Sequence, residues 1–192
     1  MQLSIVPMPD DVGDDSHAIN RPIALVGLMG AGKTTVGRRL AKTLDMPFID
    51  ADAEIERSAG RSVSDIFSDF GEQAFRDGER KVIARLLEGG PQVVALGGGA
   101  FANDTTREIV KQKAITIWIK ADLDTLMERV SRRETRPLLK TDDPRAVMSD
   151  LMAKRETAYE QADIHVDGAD GPHSTTVDNI LHALTHRGFI AQ

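Results

Sequence analysis

The chain contains a complete phosphate-binding loop pattern, and this feature restricts the fold more than any other. Residues 27–34 read Gly-Leu-Met-Gly-Ala-Gly-Lys-Thr and match G-x-x-x-x-G-K-[ST] in full. Several backbone N–H groups must surround the phosphate oxygens, and glycines permit that approach because they lack a Cβ atom. The loop must then enter a helix, whose N-terminus favours negative charge. The pattern therefore predicts a nucleotide site between a strand and a helix.

The flanking sequence supplies that strand and helix, and the alternation continues along the chain. Short, solidly apolar runs predict strands at 23–26, 47–49, 92–96, 115–119 and 164–166. Helical spacing predicts helices at 33–44, on either side of Gly60, and at 72–88, 122–133, 143–161 and about 177–187. Strands of this kind between helices indicate an α/β fold whose parallel sheet is covered on both faces. Ligands bind such sheets outside the carboxyl ends of the strands.

Length and composition set the broad class of protein. A chain of 192 residues favours one domain, and a net charge of −6 argues against nucleic-acid binding. The absence of cysteine excludes disulfides and fits the cytoplasm. The sequence shows neither a signal-peptide pattern nor an apolar run of ~18 residues, so no membrane partner is expected. We expect a flexible acidic arm at 1–20, a single domain at 21–192 and a monomer.

Two aspartates follow the second predicted strand. Asp50 and Asp52 are two residues apart, so in an extended chain their side chains face the same way. Such a pair could serve Mg²⁺ and a substrate hydroxyl group. The alternative, which this pair alone favours, is that Asp52 only caps the next helix.

Glycines and arginines form two further candidate clusters. Gly97, Gly98 and Gly99 follow the third strand, where they would let a ligand touch backbone or would simply form a flexible turn. Arg76, Arg136 and Arg155 could pair bidentately with carboxylate or phosphate groups. Surface ion pairing is the alternative, since Glu72 lies four residues before Arg76 in a predicted helix.

Together these pieces resemble the shikimate kinase family over nearly all of residues 22–185. Besides the phosphate loop, the resemblance rests on the following short motifs, in this order: Phe48-Ile49-Asp50-Ala51-Asp52 with Ile55-Glu56, Ile66-Phe67, Gly71-Glu72 leading to Phe75-Arg76 and Glu79, Leu96-Gly97-Gly98-Gly99, Arg136-Pro137-Leu138, and Arg155 followed by Tyr159. Each motif is short, but their order and spacing as a set are highly specific.

The resemblance implies a P-loop kinase of the nucleoside monophosphate kinase type, with a five-stranded parallel sheet flanked by helices on both faces. It implies transfer of the ATP γ-phosphoryl group to the 3-hydroxyl of shikimate, in the biosynthesis of chorismate and aromatic amino acids. The cofactor would be Mg²⁺, held by Thr34 and by Asp50 through water. A lid at about 131–143 would close over the phosphates.

The resemblance also assigns residues to each ligand. ATP would be bound by Gly30, Ala31, Gly32, Lys33, Thr34, Thr35, Arg129, which would stack on adenine, and Arg136 from the lid. Shikimate would be bound by Asp52, Arg76, Gly98, Gly99 and Arg155. The catalytic residues would be Lys33, Asp52 and Arg136.

Two other functions are compatible with the phosphate loop. Another small-molecule kinase of this fold, such as a gluconate kinase, would have a similar loop, but the aspartate pair, the glycine run and the three arginines argue against it. A nucleotide-dependent regulator that does not convert a metabolite would not need a second substrate site.

Overall fold

The computed structural model describes residues 19–132, 142–168 and 173–190, and within them it contains an alternating α/β chain. The strands are β1 Ile23–Val26, β2 Phe48–Asp50, β3 Val93–Ala95, β4 Ile115–Lys120 and β5 Ile164–Asp167. The helices are α1 Lys33–Thr43, α2 Ala51–Ala59, α3 Val63–Leu86, α4 Asp104–Lys113, α5 Leu123–Ser131, α6 Pro144–Tyr159 and α7 His173–His186.

The five strands form one parallel sheet in the order β2-β3-β1-β4-β5. Strand β1 lies at the centre, where Ala24 pairs with Val94 of β3 on one side and with Thr116 of β4 on the other. All four residues of β1 are buried. The five-stranded parallel sheet predicted from the family resemblance is confirmed.

Helices bury this sheet and complete a single apolar core. Helix α1 packs on α7 and β3, and α7 also contacts β5, while α3 packs on α4 and α5 on α6. Fully buried side chains from strands and helices meet between these layers, among them Leu25, Leu40, Ile83 and Ile117. Continuous apolar strands are the expected consequence of cover on both faces.

Several helix starts are fixed by the side chains that the sequence indicates. Ser62, Asp122 and Asp143 each accept a hydrogen bond from the backbone N–H three residues further on. This satisfies one of the amide groups that lack a partner in the first turn of a helix. These three residues are the N-caps of α3, α5 and α6.

The helical boundaries differ from prediction in two places. Helix α4 was not predicted, because among its residues only Thr106 and Val110 are buried, which gives no apolar periodicity. The two helices predicted before and after Gly71 are joined into α3, which is kinked at that residue. Gly71 has φ 80° and ψ 172°, a conformation that glycine tolerates best, so the kink is encoded at this position.

The start of the packed chain lies earlier than the sequence suggested. Ile19, inside the predicted arm at 1–20, is only 6% exposed and belongs to the hydrophobic core. Residues 1–18 of that arm, and residues 133–141 of the predicted lid, lie outside the described residues. No helix among the described residues is long and apolar enough to cross a membrane.

Two truncations separate Ile19 from the acidic segment before it. Removal of residues 1–18 is expected to leave the Tm nearly unchanged. Removal of residues 1–20 also deletes the buried Ile19 side chain, and burial of such a group contributes ~1.5–3 kcal/mol. Since ~1 kcal/mol shifts Tm by ~2–4 °C at this chain length, the longer truncation should lower Tm by at least about 3 °C. Equal Tm values in thermal unfolding followed by circular dichroism would contradict a structural role for Ile19.

Candidate active site

The phosphate-binding loop connects the central strand β1 to helix α1. Gly27 has φ 140°, and a Cβ atom there would lie 2.7 Å from the Ile119 carbonyl oxygen, so a larger residue does not fit. Gly32, with φ 95°, is the N-cap of α1. Lys33 follows directly, and its Nζ donates to the carbonyl oxygens of Gly27 at 2.7 Å and Leu28 at 2.9 Å. The ammonium group therefore lies along the concave side of the loop, where phosphate would bind.

Thr34 and Asp50 meet next to this loop. The Thr34 hydroxyl donates to Asp50 Oδ2 at 2.8 Å, which links the first turn of α1 to the end of β2. The other carboxylate oxygen, Oδ1, accepts from the backbone N–H of Asp52 at 3.2 Å. Asp50 is thus the N-cap of α2, and the interpretation of Asp52 as that cap is wrong.

The chemistry of the Thr34–Asp50 pair fits a magnesium ion. A hydroxyl and a carboxylate are hard oxygen ligands, and Mg²⁺ bound to nucleotides takes its other ligands from phosphate and water. In the part of the chain that the structure describes, no group of three or more His, Cys, Asp or Glu side chains could hold a metal ion.

The glycine turn after β3 is the meeting point of a second group of charged side chains. A Cβ atom on Gly97 would lie 2.6 Å from Asp52 Oδ1 and 3.1 Å from Glu79 Oε1. A Cβ atom on Gly99 would lie 2.5 Å from Nη2 of Arg76. The turn needs glycine because the side chains of its neighbours already occupy that space. Both carboxylates and the guanidinium group thus line one small region beside the phosphate loop.

Arg76 is held mainly by a buried carboxylate. Its Nη1 donates to Glu79 Oε2 at 2.7 Å, while Glu72 Oε1 lies 3.6 Å from Nη2. Glu79 is 1% exposed and Glu72 is 71% exposed, so the predicted Glu72 pair is present but strongly screened. Glu79 Oε1 has no hydrogen-bond partner among the described residues. Burial therefore raises the pKa of Glu79, although the Arg76 guanidinium group opposes that shift.

Arg155 and Tyr159 reach the same turn from helix α6. Arg155 Nη1 donates to the Gly98 carbonyl oxygen at 3.0 Å, and the Tyr159 hydroxyl donates to the same oxygen. The two residues are four apart and share one face of the helix. The Tyr159 ring is packed against Trp118 at a centroid distance of 5.7 Å. Burial raises the pKa of Tyr159 to about 12, so its hydroxyl remains a donor at neutral pH.

Helix α5 covers the other side of the phosphate loop. A Cβ atom on Gly30 would lie 2.9 Å from Val130 Cγ2, which shows how closely the helix packs there. Arg129, the residue before Val130, is half-buried in the last turn of α5. The predicted lid residue Arg136 lies outside the described residues. The structure thus brings the predicted site residues together except Arg136, which it does not describe.

Two residues of this site had no assigned role in the sequence analysis. Glu79 and Tyr159 were recognised only as parts of the family motifs. The available signal was their spacing, because Glu79 lies one helical turn after Arg76 and Tyr159 one turn after Arg155. Sequence alone does not show that both side chains are buried, which is what makes them supports of the site.

The fold and the site define the class of the protein. A phosphate loop after the central strand of a β2-β3-β1-β4-β5 parallel sheet, with charged side chains gathered at the ends of neighbouring strands, is the arrangement of P-loop kinases of the nucleoside monophosphate kinase type. Two carboxylates and two arginines face the glycine turn beside the loop, and charged groups of both signs suit a small polar acceptor. The protein is a small-molecule kinase.

Comparison with known proteins identifies the family. The family model for shikimate kinase matches residues 29–185. The chain is 52% identical over 174 residues to the shikimate kinase of Caulobacter vibrioides, which covers 90% of this chain and 87% of the relative. The shikimate kinase from Acinetobacter baumannii, solved in complex with shikimate, has a TM-score of 0.84 at 36% identity and covers 87% of this chain and 94% of that one. The chain belongs to the shikimate kinase family.

A gluconokinase shares the fold at a greater distance. The enzyme from Sinorhizobium meliloti has a TM-score of 0.62 at 19% identity and covers 89% of this chain. Identity at that level shows a common architecture only. The rival interpretation as a gluconate kinase therefore receives support from the fold and none from the family comparison.

The buried Glu79 should make stability depend on pH in a direction opposite to that of most carboxylates. Its pKa is raised in the folded state, so the unfolded chain releases this proton at a lower pH than the folded protein does. Stability is therefore lost as pH rises from the ordinary value of 4.5 through the raised folded value. Relative to Glu79→Gln, the wild type should become less stable across this range, as measured by Tm at a series of pH values.

Glu88→Gln is the matched control for this experiment. Lys113 lowers the pKa of the exposed Glu88, so this carboxylate contributes stability above its unfolded pKa and loses it as pH falls. As pH rises, the Tm of wild type should therefore fall relative to Glu79→Gln and rise relative to Glu88→Gln. The same sign for both would contradict the assignment of Glu79 as a buried, destabilised carboxylate.

Proposed function

We propose that this chain transfers the γ-phosphoryl group of ATP to the 3-hydroxyl of shikimate, giving ADP and shikimate 3-phosphate. The reaction belongs to the route to chorismate and the aromatic amino acids. The observation that carries this proposal is the convergence of Asp52, Arg76 and Arg155 on the Gly97–Gly99 turn beside the phosphate loop. Membership of the shikimate kinase family supports the choice of acceptor.

The phosphate loop and its surroundings would bind ATP. The phosphates would be held by Gly30, Ala31, Gly32, Lys33, Thr34 and Thr35. Lys33 would exchange its two loop carbonyl partners for the β- and γ-phosphates. Arg129 would stack on adenine from the end of α5, and Arg136 would reach the phosphates from a lid at about 131–143.

The hydroxyl of Thr34 and the carboxylate of Asp50 would hold Mg²⁺, with water between Asp50 and the ion. Their contact at 2.8 Å places the two oxygen donors side by side next to the phosphate loop. When bound, the ion would neutralise charge on the β- and γ-phosphates. Asp50 also caps α2, so one carboxylate would couple the cation site to the helix that carries Asp52.

The second cluster would bind the acceptor. Arg76 and Arg155 would hold the carboxylate of shikimate, and the N–H groups of Gly98 and Gly99 would add to that clamp. Asp52 and Glu79 lie on the same side of Gly97, and Asp52 would accept a hydrogen bond from the attacking hydroxyl group. The distribution of charge fits a small molecule that carries a carboxylate at one end and hydroxyl groups at the other.

The chemistry that remains is mainly positioning and stabilisation of charge. The hydroxyl oxygen forms a bond to the γ-phosphorus while the bond from that phosphorus to the bridging oxygen of ADP breaks. Asp52 would orient the hydroxyl group and would accept its proton as the new bond forms. Lys33 and Arg136 would stabilise the transferring group, and closure of a lid would exclude water that otherwise hydrolyses ATP.

The proposal also includes a monomer that acts in the cytoplasm without nucleic-acid or membrane partners. Support for this comes from the net charge of −6 and the absence of cysteine. One domain that contains both substrate clusters does not require a second copy to complete the site.

A coupled assay of ADP release tests the function directly. We expect ADP release with ATP, Mg²⁺ and shikimate, and little release when shikimate is omitted or replaced by gluconate. Comparable release with gluconate would favour the other small-molecule kinase. Nucleotide binding without ADP release under any condition would favour a nucleotide-dependent regulator.

Asp52→Asn should separate acceptor chemistry from nucleotide binding. The variant keeps the size of the side chain but loses the negative charge, so kcat is expected to fall by at least about 100-fold. Calorimetry should show ATP binding close to that of wild type, because the phosphate loop does not use Asp52. Asp150→Asn on the exposed face of α6 is the matched control. Loss of ATP binding with intact shikimate binding would contradict the assignment.

Arg155→Lys and Arg136→Lys should affect different kinetic constants. Lysine keeps the charge and loses the bidentate fork. A clamp on a carboxylate that does not react acts in both the ground state and the transition state, so Arg155→Lys should raise KM for shikimate about tenfold. An arginine that meets charge developing on the phosphoryl group should instead lower kcat at least about tenfold in Arg136→Lys.

Arg145→Lys is the matched control, because Arg145 lies on the same helix as Arg155 but pairs with Asp124 at the surface. Its constants should equal those of wild type. An unchanged KM for shikimate in Arg155→Lys would show that the carboxylate clamp is wrongly placed.

A further inference from the structure

Tyr159 occupies an unusual position for a group that does not itself face the proposed acceptor. It is the single tyrosine of the chain and is 2% exposed. Its hydroxyl donates to the Gly98 carbonyl oxygen, which also receives the hydrogen bond from Arg155 at 3.0 Å. One backbone oxygen of the glycine turn is therefore held by two donors from the same face of α6.

The direction of this carbonyl fixes the direction of a neighbouring N–H group. The peptide unit between Gly98 and Gly99 is planar and trans, so its C=O and N–H bonds point in opposite directions. Because the carbonyl of Gly98 faces α6, the N–H of Gly99 must point away from α6. Gly99 has no Cβ atom and flanks the Arg76 guanidinium group, so the N–H belongs to the acceptor cluster.

Arg155 cannot donate one N–H group fully to both the Gly98 carbonyl oxygen and a substrate carboxylate. In the structure, its Nη1 is engaged by Gly98. A bidentate bond to a substrate carboxylate through Nη1 and Nη2 would draw Nη1 away from that oxygen. Without a second donor, the half-buried carbonyl would then lose its partner, and the glycine turn could rotate.

We propose that Tyr159 is a positioning residue for the acceptor site, whose hydroxyl holds the Gly98–Gly99 peptide in the binding orientation when Arg155 moves to the substrate carboxylate. The proposal rests on the proposed function, since it requires a carboxylate-bearing acceptor at this turn. Tyr159 does not contact the substrate. Its hydrogen bond fixes the direction of the Gly99 N–H group. Because that bond also satisfies the Gly98 carbonyl oxygen, Arg155 can turn to the substrate.

The surroundings of Tyr159 suit a fixed donor. The ring packs against Trp118, and Trp118 in turn contacts His165 of β5 at a centroid distance of 5.2 Å. The same ring forms one wall of a cavity of about 230 Å³ between the phosphate loop, β4, α5 and α6. Since the pKa of Tyr159 is raised to about 12 by burial, the hydroxyl keeps its proton across the working pH range. Ring packing therefore fixes the position of the Tyr159 hydroxyl, and the raised pKa keeps it protonated.

Tyr159→Phe is the decisive variant, because it removes the hydroxyl and leaves the ring packed on Trp118 beside the cavity. The lost hydrogen bond should raise KM for shikimate about fivefold, which corresponds to about 1 kcal/mol. We expect kcat to stay within about twofold and KM for ATP to stay unchanged, because the phosphate loop does not depend on this carbonyl. Thr185→Val is the matched control, since it removes a side-chain hydrogen bond to a backbone carbonyl within α7.

A substrate analogue distinguishes a positioning role of Tyr159 from a merely structural one. A structural role would change KM equally for shikimate and for the analogue. In the analogue, a hydroxymethyl group replaces the carboxylate of shikimate, so Arg155 and the Gly99 N–H group lose their anionic partner. The effect of Tyr159→Phe on KM should fall to about twofold or less with this analogue. An equal effect with both substrates, or equal losses for shikimate and ATP, would overturn the proposal.

Failure of this inference can be distinguished from failure of the proposed function. If wild-type protein does not phosphorylate shikimate, the proposed function is wrong and this inference falls with it. If wild type is active and Tyr159→Phe leaves KM for shikimate unchanged, only the role of Tyr159 is wrong. Should Tyr159→Phe be less stable than wild type, calorimetric titration with shikimate below the Tm of the variant provides the same comparison.

Discussion

Parallel pairing of β1 with strands on both of its sides is the constraint on which the rest of the structure depends. It places the carboxyl ends of β1, β2 and β3 at one edge of the sheet, so three loops that are distant in sequence become neighbours. The loop after β1 binds anions, the end of β2 provides two aspartates, and the turn after β3 provides backbone without side chains. Neither ligand site could be assembled by one of these segments alone.

The proposed acceptor site combines charged side chains with glycines that leave space for them. Asp52, Glu79 and Arg76 occupy the positions that side chains on Gly97 and Gly99 would fill. The buried Glu79 is destabilised by the loss of water, yet it fixes the Arg76 guanidinium group against a rigid partner. Such a group lowers stability in order to preorganise a binding site, which is a common compromise at functional sites.

The sequence predicts much of this because several motifs have strict local requirements. The phosphate loop demands a strand before it and a helix after it, and the apolar strands demand cover on both faces, so the fold class follows from short-range patterns. Helix α4 could not be predicted, because its contacts with the core involve only Thr106 and Val110. Capping of α2 by Asp52 stayed open as an alternative because the two carboxylates are equivalent in a linear pattern and only the dihedral angles at the end of β2 identify Asp50 as the cap. Glu79 and Tyr159 are supports whose function depends on burial, which is a tertiary property.

Helix α6 shows why support of this kind matters for binding. Met148 and Tyr159 are the buried residues of this helix, and Leu151 and Met152 pack against the core while partly buried. Hydrogen bonds then define where the face of the helix that carries Arg155 meets the glycine turn. The shared contact of Arg155 and Tyr159 with Gly98 supplies that definition. In the role proposed for Tyr159, its hydrogen bond keeps α6 in register with the glycine turn while Arg155 turns to a ligand.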